Sequence, residues 1–133
     1  MEQNMCMCPI DNTFRLMGKK FTALVIRNML HSGHKRFNQF MEIKNINAKI
    51  LSARLKEMEK DGLIKREIFH ETPVRIEYTI TEKGRALQPI LDQMAAFSTL
   101  YCAKDVFKDG KARKIEEVYG YAPEMVKSLS KKS

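Results

Sequence analysis

The spacing of apolar residues changes at Gly62, and that change limits the folds open to this chain. Before it, Leu51, Leu55 and Met58 recur every three or four residues, as on one face of a helix. After it, residues 63–69 and 75–80 alternate in character, the pattern of two strands. Residues 70–74 lie between them and include Pro73, so the strands should form a hairpin. Thr81 then caps a long helix expected over residues 82–104, with Glu82 placed to complement the helix dipole. Pro89 falls inside that span and should bend it or weaken one hydrogen bond.

Upstream, Asp11, Asn12 or Thr13 can cap a helix over residues 14–30 with an apolar side of Phe14, Met17, Phe21, Leu24, Val25 and Leu30. Gly33 suits its C-terminal turn. A short helix over residues 38–43 should turn Phe40 and Met41 inward. After the turn at Asn45-Ile46-Asn47, Asn47 is a good N-cap for a helix over residues 48–60. The order is three helices, two strands and a long helix. That predicts a mainly α fold with a small β-hairpin, a winged helix-turn-helix with a long C-terminal dimerisation helix. Residues 8–104 should form this domain. Residues 105–133 read as an extension, with a turn at Lys108-Asp109-Gly110-Lys111, a short helix within 112–119 and a loose end at 127–133.

Charge suggests the partner. Lysine and arginine number 24 against 16 acidic residues, a formal excess of +8, which favours polyanions through long-range attraction and counterion release. No apolar run approaches the roughly 20 residues of a membrane-spanning helix. The first residues lack the basic and apolar pattern of a secretory signal, so a cytoplasmic protein is expected. Three cysteines, Cys6, Cys8 and Cys102, do not make a disulfide scaffold.

On a wheel of about 100° per residue, Leu51, Leu55 and Met58 face inward, while Lys49, Ala53, Lys56 and Lys60 lie opposite with Ser52 on the flank. Such a helix can lie in a major groove, where Ser52 and Ala53 are small enough to let the backbone approach the base edges. Asn47 can donate to a phosphate or a base. The bland alternative is a solvated charged face. On the hairpin, Arg75, Lys65 and Arg66 can reach phosphates or the minor groove, and Arg36 can hold the backbone on the other side. The alternative for Arg75 is a surface cation paired with Glu77 or Glu71.

Taken in order, these segments resemble the HxlR-type regulators, a branch of winged helix-turn-helix proteins related to the MarR group. The matching residues are Cys8-Pro9, Gly18-Lys19-Lys20-Phe21, Arg36-Phe37-Asn38, the run 51–64, Pro73-Val74-Arg75-Ile76-Glu77-Tyr78 and Thr81-Glu82-Lys83-Gly84. The resemblance implies a homodimer that places two recognition helices in successive major grooves of a palindromic operator on double-stranded DNA. It also implies DNA-facing positions at Asn47, Lys49, Ser52, Ala53 and Lys56, with Arg75 on the wing. Phe21 stands where the family often has tryptophan, and residues beyond Lys104 have no counterpart.

The natural dimer surface is the long helix, where Leu87, Ile90, Leu91, Met94, Phe97, Leu100 and Tyr101 make a wide apolar face. The first helix can join it; packing within the monomer is the alternative. Several HxlR-type proteins sense oxidants or electrophiles through the cysteine before the proline, which matches Cys8. A helix N-terminus and a nearby Lys19 or Lys20 would favour its thiolate, and Cys102 is a candidate partner across the dimer. Cys6-x-Cys8 with His31, His34 or His70 is too weak a pattern for a metal site, and no cofactor is expected. An enzyme is disfavoured, because the sequence has no phosphate loop, no nucleophile with a placed base and no paired carboxylates. A protein-binding winged helix should carry a neutral or acidic third helix, and RNA binding should show stacking aromatics on a sheet. No effector pocket is evident from the sequence.

Overall fold

The structure is a computed structural model that describes residues 4–119. Its elements run α1 (Pro9–Met17), α2 (Thr22–His31), α3 (Phe37–Phe40), α4 (Ala48–Lys60), β1 (Ile64–Phe69), β2 (Arg75–Ile80), α5 (Glu82–Arg85), α6 (Gln88–Tyr101), α7 (Ala103–Val106) and α8 (Ile115–Tyr119). Helices therefore dominate around one antiparallel hairpin, the winged helix-turn-helix order that the sequence predicts. The chain divides into two compact units between Ala86 and Leu87. Among the described residues, no helix is long and apolar enough to cross a membrane.

In the first unit the core gathers Met17, Phe21, Val25, Ile26 and Met29 from the first two helices, Phe40 and Ile43 around α3, and Leu51, Leu55, Met58, Leu63 and Ile64 beyond. The single helix expected over residues 14–30 is two. Pro9 supplies the preset φ that suits a first helical turn, so α1 starts at Cys8-Pro9 and not after Thr13. It stops at Gly18, where a Cβ would lie 2.5 Å from the carbonyl oxygen of Phe14. Phe21 then adopts φ 75°, an uncommon conformation that redirects the chain into α2 and keeps the ring buried. Continuous helical spacing therefore misplaces Phe14 and Leu24, which are exposed, and misses Ile26 and Met29, which are buried. The short helix is also displaced: α3 starts one residue earlier than expected and closes at Phe40, so Phe40 is buried while Met41 faces solvent.

The wing is a six-residue antiparallel ladder from Ile64↔Ile80 to Phe69↔Arg75. Its base is closed by Thr81. The Thr81 hydroxyl donates to the carbonyl of Gly62 at 2.6 Å and accepts from the Gly84 N–H at 3.1 Å, while the Thr81 N–H donates to Leu63. A Cβ on Gly84 would sit 2.3 Å from the Leu63 oxygen and 2.7 Å from Ile80, so this crossing requires glycine. The Lys83 ammonium donates to the Asp61 carbonyl at 2.7 Å, at the C-terminus of α4.

The expected helix over residues 82–104 is three segments: α5, α6 and α7. Pro89 sits in the first turn of α6, where its missing N–H costs nothing, so it begins a helix instead of bending one. Cys102, at φ −123° and ψ 33°, separates α6 from α7. In this second unit Ile115 of α8 packs with Ala95 and Ala96 of α6, and the Arg113 N–H donates to the Thr99 carbonyl at 2.9 Å. The Lys111 N–H and the Arg113 guanidinium hold the Asp109 carboxyl below its ordinary pKa. The expected loose end at 127–133 lies outside the described residues.

Candidate nucleic-acid interface

Helix α4, the expected recognition helix, has the bounds that the sequence predicts, because its start and its inner face are both specified locally. The side-chain oxygen of Asn47 accepts the Ile50 N–H at 2.8 Å, satisfying one of the free donors at the helix start. Leu51, Leu55 and Met58 are almost wholly buried. Opposite them, Lys49, Ala53, Lys56 and Lys60 are exposed and Ser52 is half-buried. Among the described residues, neither Lys49 nor Lys56 is paired with a carboxylate. Their charge is therefore free for a polyanion.

Other charges on α4 hold the helix in place. Arg54 donates to the Lys20 carbonyl at 2.8 Å and lies 3.4 Å from Glu57, which in turn lies 3.1 Å from Lys19. Arg15 approaches Asp61 at 3.7 Å. A cleft of about 190 Å³ runs along this seam, lined by Arg15, Lys19, Thr22, Glu57, Lys60 and Asp61 among others. The α1–α2 turn is thus fastened to the flank of α4. Sequence reasoning does not single out Arg54, since a basic residue beside the open face looks like any other cation there.

Arg36 and Arg75 are far apart in sequence and meet in space. Both face Glu77, Arg75 through Nε at 3.0 Å and Arg36 through Nη2 at 3.9 Å. Arg75 also approaches Glu71 at 3.4 Å, and its guanidinium lies 4.4 Å from the ring centre of Phe69. Arg75 is therefore paired with both carboxylates. Lys65 and Arg66 are exposed on β1. Glu77, named from the sequence only as a partner for Arg75, is the centre of the cluster, and Lys35, which sequence reasoning does not select, completes it. The Arg75–Glu77 pairing follows from the strand period, since both share one face of β2.

Among the expected dimer residues, Leu87 is buried and Leu91 and Leu100 are half-buried. Met94, Phe97 and Tyr101 are exposed, the last two by 59% and 71%, and Ile90 joins them. These four are spaced by four, three and four residues, the interval of a helix-pairing seam. A second apolar pair, Ile10 and Phe14, lies exposed on α1.

Cys8 is exposed and stands as the N-cap of α1, directly before Pro9. Lys19 and Lys20 are not its neighbours: they follow the far end of α1, a helix roughly 14 Å long at 1.5 Å per residue. Lys19 pairs with Glu57, and Lys20 lies over the Phe21 ring at 5.1 Å. Cys6 is exposed and Cys102 is half-buried. Among the described residues, no group of three or more histidine, cysteine and acidic side chains is arranged to hold a metal ion.

The HxlR-like helix-turn-helix family model matches residues 16–106, which take in α4, the wing and α6. The chain belongs to the HxlR-like family. Over 98 residues it is 42% identical to the HTH-type transcriptional regulator YodB of Bacillus subtilis, covering 72% of this chain and 87% of that protein. Over 112 residues it is 35% identical to the uncharacterised HTH-type transcriptional regulator YdeP of Bacillus subtilis, covering 83% and 85%. Among solved structures it is similar to the redox regulator HypR in its reduced form, with a TM-score of 0.66 and 36% identity over 74% of this chain and 96% of that one. It is also similar to the reduced form of YodB, with a TM-score of 0.64 and 41% identity over 72% and 95%. This HxlR-like chain is a helix-turn-helix transcriptional regulator; its relatives are regulators and not enzymes.

Proposed function

We propose that the chain is a sequence-specific transcriptional repressor that binds a palindromic operator on double-stranded DNA as a cytoplasmic homodimer. In this reading Asn47, Lys49, Ser52, Ala53 and Lys56 face the major groove, while Arg36 and Arg75 hold the flanking backbone. Met94, Phe97 and Tyr101, with Leu87, Leu91 and Leu100 supporting them, form the pairing surface. Residues 8–104 act as the DNA-binding and dimerisation part and 105–133 as an extension.

The observation that carries this reading is the two-faced α4, buried on Leu51, Leu55 and Met58 and open on Lys49 and Lys56. The test selects a duplex from a random pool with the full chain, then measures binding against salt. Tight binding by a dimer is expected, and Lys56→Ala should flatten the salt dependence by about one unit for each phosphate it no longer neutralises. No preference over random duplex would sink the proposal.

A second reading adds control by oxidants or electrophiles through Cys8. It is favoured by the exposed position of Cys8 beside Pro9, and by two relatives: HypR is a redox regulator, and YodB has been crystallised after diamide treatment. Oxidation to a sulfenic acid or a disulfide would add bulk and polarity at the start of α1. Diamide joins two thiols into a disulfide and takes up their two hydrogens; it should abolish binding by the parent and leave Cys8→Ser unaffected, while loss of the response in Cys102→Ser would make Cys102 the second thiol. Equal sensitivity in all three would remove Cys8 from the mechanism.

A further inference from the structure

The wing and the start of α3 share one buried carboxylate. Glu77 is only 8% exposed, and burying a carboxylate is costly unless charged partners surround it. It has three. Arg75 Nε lies at 3.0 Å, Lys35 Nζ at 3.7 Å and Arg36 Nη2 at 3.9 Å. The backbone repeats the link, since the Tyr78 N–H donates to the Lys35 carbonyl at 2.7 Å. The Gln39 side-chain oxygen accepts from the N–H groups of Lys35 and Arg36 at 2.8 and 3.0 Å, which fixes the main chain beneath both cations.

Two more carboxylates face this cluster. Glu71 lies 3.4 Å from Arg75, and Glu67 stands opposite Glu77 in the strand register. The arrangement is layered: Glu77 lies inside, while the side chains of Lys35 and Arg36 are half exposed at 53% and 51%. A lone surface ion pair would orient such long side chains weakly. A shared buried anion, with the backbone pinned on both sides, restricts them far more.

We propose that Glu77 is a positioning residue for DNA binding, holding Lys35, Arg36 and Arg75 at the seam of wing and helix so that they grip backbone phosphates beside the recognition helix. This rests on the operator-binding reading above. Its sign is opposite to that of the simplest electrostatics. A carboxylate that only repels phosphate would, on removal, tighten binding. A carboxylate that positions cations would, on removal, loosen it.

The test compares the full chain with Glu77→Gln, Arg36→Gln and the double variant on the duplex selected by the parent protein, with far-UV circular dichroism as the check on folding. Glu77→Gln should bind more weakly, with a salt slope shallower by about 0.9 for each phosphate that is released. The double variant should lose less than the sum of the two single losses, because both act on the same phosphate grip. Unchanged or tighter binding by folded Glu77→Gln, or strict additivity, overturns the assignment. Should Glu77→Gln fail to fold, the exposed variants Lys35→Gln and Arg36→Gln decide: each should flatten the slope, and unchanged slopes overturn the proposal. Parent protein that prefers no duplex removes the regulator reading and this assignment together. Parent binding that Glu77→Gln leaves intact removes this assignment alone.

Discussion

Leu55 is 2% exposed on the inner face of α4, and the next residue, Lys56, stands on the open face. Leu55→Ala should cost about 2–5 kcal/mol of stability, through reduced burial and the cavity left behind. Lys56→Ala should stay within about 0.5 kcal/mol of the parent in the same denaturant titration. Gly84→Ala tests a different constraint. Its Cβ would meet a backbone oxygen at 2.3 Å, so the wing base must shift, and a loss of about 1–3 kcal/mol is expected. The alternation of Leu51, Leu55 and Met58 against Lys49 and Lys56 was legible in the sequence because it obeys the helical period. Glu77 was not. Its role depends on Lys35 and Arg36 arriving from another segment, and nothing in a strand pattern reports which side chains come to meet it.

At the scale of elements, capping and strand signals were legible, and helix breaks were harder to see. Asn47 and Thr81 both accept the backbone N–H three residues on, as their types suggest. Asn47→Ala should cost about 1 kcal/mol of stability, measured by thermal melting, and should fray the start of α4. The break between α1 and α2 escaped detection because Lys19 and Lys20 are good helix formers and Phe21 keeps an apolar spacing. It takes the positive φ of Phe21 and the tight approach at Gly18 to end the helix. Pro89 misled in the other direction, since a proline inside an apparently continuous helix can equally mark the first turn of a new one. In the second unit, Asp109 has its pKa lowered by the Lys111 N–H and by Arg113. A lowered carboxyl stabilises the fold above its unfolded pKa, and that contribution is lost as pH falls through the folded value. Asp109→Asn should remove this part of the acid dependence, read from melting curves against pH.

For the whole molecule, the seam of Ile90, Met94, Phe97 and Tyr101 leaves aromatic and sulfur-bearing surface in water. On the proposed pairing, the parent should sediment as a dimer and Phe97→Glu as a monomer at the same concentration. The same variant should also lose operator affinity, because two half-sites are then bound one at a time. The division between Ala86 and Leu87 was not visible in the sequence, where the apolar pattern runs across it without interruption.

One property of α4 reaches beyond any single operator. The residues that keep the helix folded (Leu51, Leu55, Met58 and Arg54) and those on its open side (Lys49, Ser52, Ala53 and Lys56) are separate sets. Mutational drift on the open side therefore leaves the core intact, and on the proposed reading duplicated copies of such a gene can diverge in target preference without first becoming unstable. Adaptation of the binding vocabulary and maintenance of the scaffold proceed as independent problems for natural selection.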